Sequence, residues 1–434
     1  MNRKIAPPTY EVRGLTLPTP QLIHLDNGIP VYVLDFPGQE ILKVEAVYRA
    51  GRPEETTRLA ARVTARMLRE GTRAHSGADI AEHIDFYGGT LSSPTNLDTS
   101  NFLLFCLKKY ASELIPTFAE VLLEPSFPEV ELETFRRNSI QELQVDLEKV
   151  DVVAYRKVTE LIFGENHPYG YNSVPEDYTA LQRADLQEHY DRWYTPDNCT
   201  LFASGRVDEE VLALLNRYLG QQGARGKGQG ANSPEHSGQT ATQQLNNSTT
   251  QQPTTVRIPM PNSMQSGIRV GRRLFSRKHP DFNGVFVLNT ILGGYFGSRL
   301  MTNIREKKGF TYNIYSTADA MLHDGCLYIA TEVNGDKSAA TLRAIFSEMK
   351  KMREKPVSDD ELEMVRNYLL GMLLNGLDGP MNISDVVRNL LVEGLPLSAF
   401  DELVQAVRNI RPADIQALAQ KYLQPEDYWV VQVG

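Results

Sequence analysis

The chain reads as an α+β protein: two homologous duplicated domains, each a mainly antiparallel sheet packed with helices, joined by a flexible linker. Three observations predict this. Strand-like and helix-like segments come in blocks rather than in strict βαβ alternation. One low-complexity segment divides the chain into parts of similar size. Sequence matches then relate the two parts at a nearly constant spacing.

The first half carries the clearest elements. Ile29–Asp35 and Leu42–Tyr48 read as strands, the second with period-two alternation. A helix follows over Thr57–Glu70, with Leu59, Val63 and Met67 on one face and Pro53 and the Thr56/Thr57 pair as its start signal. A second helix spans Gly77–Phe86 and stops at Gly88-Gly89. Strands over Thr90–Ser93 and Ser100–Leu107, helices over Ile115–Leu123 and Glu131–Leu147, and a closing strand over Asn198–Gly205 complete the half.

Residues Gln221 to Thr255 contain no aromatic side chain, and their only large aliphatic is Leu245. Such a stretch buries too little apolar surface to offset the cost of ordering it, so it reads as the linker. The domains are therefore expected at 1–220 and 256–434, with 221–255 between them. Glu131-Leu132-Glu133-Thr134-Phe135-Arg136 matches Glu361-Leu362-Glu363-Met364-Val365-Arg366 at an offset of 230. Ala184-Asp185-Leu186-Gln187 and Trp193–Asn198 match Ala413-Asp414-Ile415-Gln416 and Tyr422–Asp427 at 229. A duplicated domain is the simplest account.

The net charge of −9 argues against nucleic acid or an anionic membrane as the main partner, because both need a basic surface. The longest apolar run, Phe102–Leu107, is strand-sized and far from the ~18 residues of a membrane span. No apolar segment follows the basic residues at the start, so no secretory signal is visible. Cys106, Cys199 and Cys326 are widely spaced and read as buried thiols in a reducing, cytoplasmic setting.

Several segments carry a family resemblance. They are Leu25–Val31, Met67-Leu68-Arg69-Glu70-Gly71-Thr72 and His167-Pro168-Tyr169-Gly170 in the first half. The second half adds Val287–Gly294, Ser298-Arg299-Leu300 and Ile304–Tyr312. Together they resemble the pitrilysin/insulinase-type (inverzincin) metallopeptidases and the mitochondrial processing peptidases. In that family a His-x-x-Glu-His helix binds zinc through two imidazoles, and its glutamate is the general base. The resemblance places the histidines on Arg62 and Arg66 and the general base on Ala65. The third ligand falls on Glu142, which is retained, and a supporting glutamate falls on Phe135. A guanidinium cannot ligate Zn²⁺. No metal or other cofactor is therefore expected in this chain, and zinc is expected in a partner subunit.

The resemblance also implies a role for Arg305 and Tyr312, seven residues apart. In active relatives an arginine and a tyrosine at that spacing bind the substrate main chain and the developing oxyanion. In two-subunit relatives the zinc motif and this pair lie on different subunits. The implied function is a non-catalytic subunit of a heterodimeric zinc metalloendopeptidase, inactive alone. Its partners would be a homologous catalytic subunit and an extended peptide. A proteolytically silent structural subunit and a homodimeric peptide-binding chaperone are the alternatives.

Plainer readings stand beside these. Arg58, Arg62 and Arg66 recur at helical spacing, as a solvated basic face would. Tyr312 alternates with Phe310 and Ile314, as a core aromatic would. Arg305 suits a helix C-terminus, with Gly309 as its cap. Gly293–Ser298 lacks the Gly-Lys-Ser/Thr ending of a phosphate loop and reads as a turn. His167 reads as part of a structural loop. The resemblance puts Glu142 in a partly buried cleft without the metal that would balance its charge, so at least one of Arg62 and Arg66 is expected to bond it and stand in for the cation.

Overall fold

A computed structural model describes residues 12, 14–94, 96–221 and 254–434. Most of the expected linker lies outside the described residues, and Thr255 already opens a strand. The first sheet has six strands in the order β1 (Gln21–His24), β2 (Pro30–Asp35), β6 (Cys199–Gly205), β3 (Ile41–Tyr48), β5 (Ser100–Leu107) and β4 (Thr90–Ser92). The second has five, in the order β7 (Thr255–Ile258), β11 (Trp429–Val433), β8 (Gln265–Leu274), β10 (Gly325–Asn334) and β9 (Ile314–Ala320). Each sheet contains one parallel pair, β2·β6 and β7·β11, and its remaining pairs are antiparallel. With β1 set aside the two orders coincide, as the repeated sequence requires.

The first-half helices are α1 (Ala60–Met67), α2 (Gly77–Phe86), α3 (Ala111–Leu123), α4 (Glu129–Asp146), α5 (Val150–Phe163), α6 (Pro175–Ala180), α7 (Arg183–Trp193) and α8 (Glu209–Leu215). The second half adds α9 (Phe282–Asn289), α10 (Ser338–Glu354), α11 (Asp359–Asn375), α12 (Gly379–Val392), α13 (Ser398–Asn409) and α14 (Pro412–Tyr422). The helix expected over Thr57–Glu70 is shorter at both ends. It starts at Ala60 behind a left-handed Leu59 (φ 72°), and its last turn, Leu68–Glu70, is a 3₁₀ turn. The Glu55 carboxylate accepts the Ala61 N–H at 3.0 Å and so serves as a remote cap.

The repeat is visible in single contacts. Arg136 donates to the Leu181 carbonyl and to Glu133; Arg366 donates to the Ile410 carbonyl and to Glu363. Each arginine ties α4 or α11 to the turn before α7 or α14.

The halves exchange one equivalent helix each. α5 packs on β8 and β11 of the second sheet, and α12 packs on β6 of the first. The α5 stripe Val150, Ala154, Val158 and Ile162 meets Tyr328, Trp429 and Val431. Gly267 permits this approach, because a Cβ there would stand 2.5 Å from the Val150 carbonyl oxygen. On the other side Ile383 and Val387 meet Leu34, Val47 and Phe202. Fully burying each such aliphatic side chain contributes about 1.5–3 kcal/mol. Leu15, near the start of the described chain, also packs in the second core.

Candidate functional site

α1 and α4 form two walls of one cavity of about 450 Å³. Arg62, Ala65 and Arg66 line it from α1, where spacings of three and four residues share a face. Glu131, Phe135, Asn138 and Glu142 line it from α4, again along one helical face. The structure thus brings together Arg62, Ala65, Arg66 and Glu142, which the resemblance aligned with zinc-site positions.

These side chains do not pair as expected. Glu142, Arg62 and Arg66 are all exposed. Arg66 turns along its own helix to Glu70, with Nε 3.7 Å from Oε1. Among the described residues neither guanidinium forms an ion pair with Glu142. The cleft is open enough for water to solvate that carboxylate, which removes the reason for a compensating bond. The basic face of α1 is therefore both solvated and cavity-lining.

The donor set does not fit zinc. At the aligned positions Glu142 is the one possible ligand, beside two permanent cations and an alanine, where a tetrahedral centre needs nitrogen, sulfur or oxygen donors. Among the described residues no group of three His, Cys, Asp or Glu side chains is arranged to hold a metal ion.

Beside the cavity lies a group of perturbed acids. Burial pushes Glu54 and Glu55 up to about 7, and the nearby Asp98 carboxylate adds to the effect at Glu54. Burial likewise raises Asp98, which accepts from the Tyr169 hydroxyl and from the Leu322 N–H at 2.9 Å. His167 is buried against Phe163, its Nδ1 accepts the Tyr169 N–H at 3.1 Å, and burial pushes it down to about 4. Asp98, through Leu322, and His167, 3.9 Å from Asp324, join the halves, and sequence reasoning did not single out Glu54, Glu55 or Asp98. The acidic pair just before α1 was the one visible signal.

Arg305 and Tyr312 sit together elsewhere. Met301–Lys307 winds as a π-helix, and the chain reverses at Gly309 (φ 64°). The N–H groups of Gly309 and Phe310 close on the carbonyls of Arg305 and Ile304 at 3.1 Å each. Arg305 Nε then donates to the Tyr312 carbonyl at 2.9 Å, and the guanidinium lies 4.7 Å from the Phe296 ring centroid. Among the described residues Nη1 and Nη2 have no hydrogen-bond partner. Thr311 Oγ1 lies 2.6 Å from the Glu332 carbonyl and 2.9 Å from that of Asn313, which clamps the loop. The Tyr312 side chain is 93% exposed, unlike the core aromatic its alternation suggests, because β9 begins only at Ile314. Neither residue lines the α1–α4 cavity.

Comparison with known proteins adds the following. Residues 52–167 match the model of the insulinase family (peptidase family M16), and residues 180–369 match that of the peptidase M16 inactive domain. An uncharacterized zinc protease of Bacillus subtilis (strain 168) is 22% identical over 93% of this chain and 95% of its own. The mitochondrial-processing peptidase subunit alpha of Pongo abelii is 25% identical over 92% of this chain and 79% of its own. A crystal structure titled as a peptidase M16 inactive domain from Pseudomonas fluorescens superposes with a TM-score of 0.82 at 21% identity, covering 96% of this chain and 98% of that one.

Proposed function

The chain belongs to the insulinase (M16) peptidase family, and from that membership and its site geometry we propose that it is the non-catalytic subunit of a heterodimeric zinc metalloendopeptidase. The observation that carries this reading is the clamped, outward-facing Arg305/Tyr312 pair in a chain whose α1–α4 cavity has no zinc donor set. The likeness to a processing-peptidase alpha subunit supports a paired arrangement.

In this reading a homologous partner holds the zinc and presents an extended peptide. Arg305 Nη1 and Nη2 are open to donate to a substrate carbonyl, because the bond to Tyr312 uses only Nε. The Tyr312 hydroxyl donates to oxygen as negative charge develops there. Donors carried on a fixed backbone need little reorganisation during reaction, and the bonds around Thr311 and Gly309 hold the loop that carries the pair. A cytoplasmic location belongs to the same reading, since all three thiols are free and buried, as in a reducing compartment. Among the described residues no helix is long and apolar enough to cross a membrane.

The test is reconstitution with a homologous subunit that carries an intact His-x-x-Glu-His motif. Peptide cleavage by the mixture, absent from either chain alone, is the expected result. No cleavage in a stable, zinc-loaded complex would favour a silent structural subunit instead.

A further inference from the structure

The α1–α4 cavity carries opposite charge on facing walls. α1 contributes Arg62 and Arg66, and α4 contributes Glu131 and Glu142. The remaining charged groups of the lining are Arg52 and Glu70. Arg52 is engaged with the carbonyls of Pro168 and Tyr171 and lies over the Tyr171 ring, while Glu70 stands beside Arg66 and Arg69. Among the described residues no ion pair crosses the cavity. The cavity these groups line holds about 450 Å³, within the ~300–1,000 Å³ typical of small-ligand sites. Ala65, with its single methyl group, keeps the floor open, and Asn96, Asn138 and Ser139 offer neutral hydrogen-bonding groups.

A cavity with separated cationic and anionic walls is complementary to a dipolar ligand. Guanidinium groups match a carboxylate in shape and charge better than any other side chain. We propose that this cavity binds the free C-terminus of a peptide. The terminal carboxylate sits on Arg62 and Arg66, and a basic side chain just upstream meets Glu131 and Glu142. The former metal position has become a carboxylate anchor, which selects peptide ends rather than internal peptide bonds. This inference rests on the cavity alone and needs neither Arg305, nor Tyr312, nor a partner subunit.

The experiment measures fluorescence anisotropy of the purified full chain with a labelled peptide ending in Lys-Ala with a free carboxylate. Its C-terminal amide and a version with that lysine replaced by alanine serve as the comparison probes. The free acid is expected to bind about tenfold more tightly than the amide, the difference of one charge-assisted contact. Arg62→Gln combined with Arg66→Gln should abolish that preference, and Glu142→Gln should weaken only the lysine peptide. All three positions are exposed, so these variants should keep the fold. Equal affinity for acid and amide, an acid preference that survives both Arg62→Gln and Arg66→Gln, or no saturable binding would each overturn the proposal. The comparison of peptide ends needs no variant at all, and none of its outcomes bears on reconstituted peptidase activity.

Discussion

Glu45 and Arg388 meet at 2.6 Å across the seam between the halves, although 343 residues separate them in the chain. Glu45 lies on β3 and is 0% exposed. Asn101 donates to the oxygen that Arg388 meets, Oε1, at 2.8 Å, Lys43 Nζ stands 3.4 Å from Oε2, and Asp385 links Lys43 to Arg388. This group seats α12 on the first sheet beside the apolar contacts of Ile383 and Val387. Apolar replacements of buried ion pairs are often as stable, so the group adds little net stability over an apolar contact.

Removing one partner is therefore expected to be worse than removing both. Arg388→Ala should cost about 1.5–3 kcal/mol, because it removes the shortest ion pair of a buried carboxylate and leaves it only Lys43 and Asn101. Glu45→Leu combined with Arg388→Met should recover most of that loss. Urea denaturation of the two variants checks the difference, and equal losses would mean that α12 is held by its apolar face alone.

Glu142→Ala is expected to change stability by less than about 0.5 kcal/mol, as for an exposed side chain without a structural partner. Thermal melts in low and high salt measure this. A loss of several degrees would imply a pairing with Arg62 or Arg66 that the structure does not contain.

The two acids before α1 set an alkaline-side cost. Glu55 is held near 7 in the folded chain, above its ordinary value of 4.5, chiefly by burial. A folded value above the unfolded one means that this contribution to stability is complete below about 4.5 and fades as the pH rises through 7. Glu55→Gln keeps an acceptor for the Ala61 N–H and removes the titration. The variant should gain stability relative to wild type between pH 4.5 and 7, as measured by denaturation at each pH. His167 acts in the opposite sense. Its folded value near 4 lies below 6.5, so its contribution is complete above 6.5 and fades toward 4.

Zinc analysis of the chain purified alone is expected to find far less than one ion per molecule. The reason is the chemistry of Arg62, Ala65 and Arg66. One tightly held zinc that is lost in Glu142→Ala would contradict it.

Much of the fold was legible because local patterns and a repeat agree. Gly77–Phe86 and Ser100–Leu107 fall where their sequence signals end. The matched ELETFR and ELEMVR segments proved to hold equivalent arginine anchors. The exchange of α5 and α12 was not legible, because an apolar stripe says that a face is buried but not against which sheet. The period-two alternation of Leu42–Tyr48 likewise carried no sign that Lys43 and Glu45, on its polar side, are buried under α12. Alignment brought Arg62, Arg66 and Glu142 to one cavity but carried no information about side-chain reach. The alternation Phe310, Tyr312, Ile314 suggested a strand face, whereas the αL turn at Gly309 delays β9 and turns Tyr312 outward.

If Arg305 and Tyr312 act on another subunit's substrate, the kcat of the reconstituted heterodimer depends on both. Arg305→Ala and Tyr312→Phe should each lower kcat by about 10²–10³, the usual effect of losing one oxyanion donor. Assembly and melting temperature should change little, because the Tyr312 side chain is exposed and the loop is clamped through Thr311. Full kcat in both variants, with the complex intact, would rule out a role for the pair in turnover and leave this chain as a scaffold.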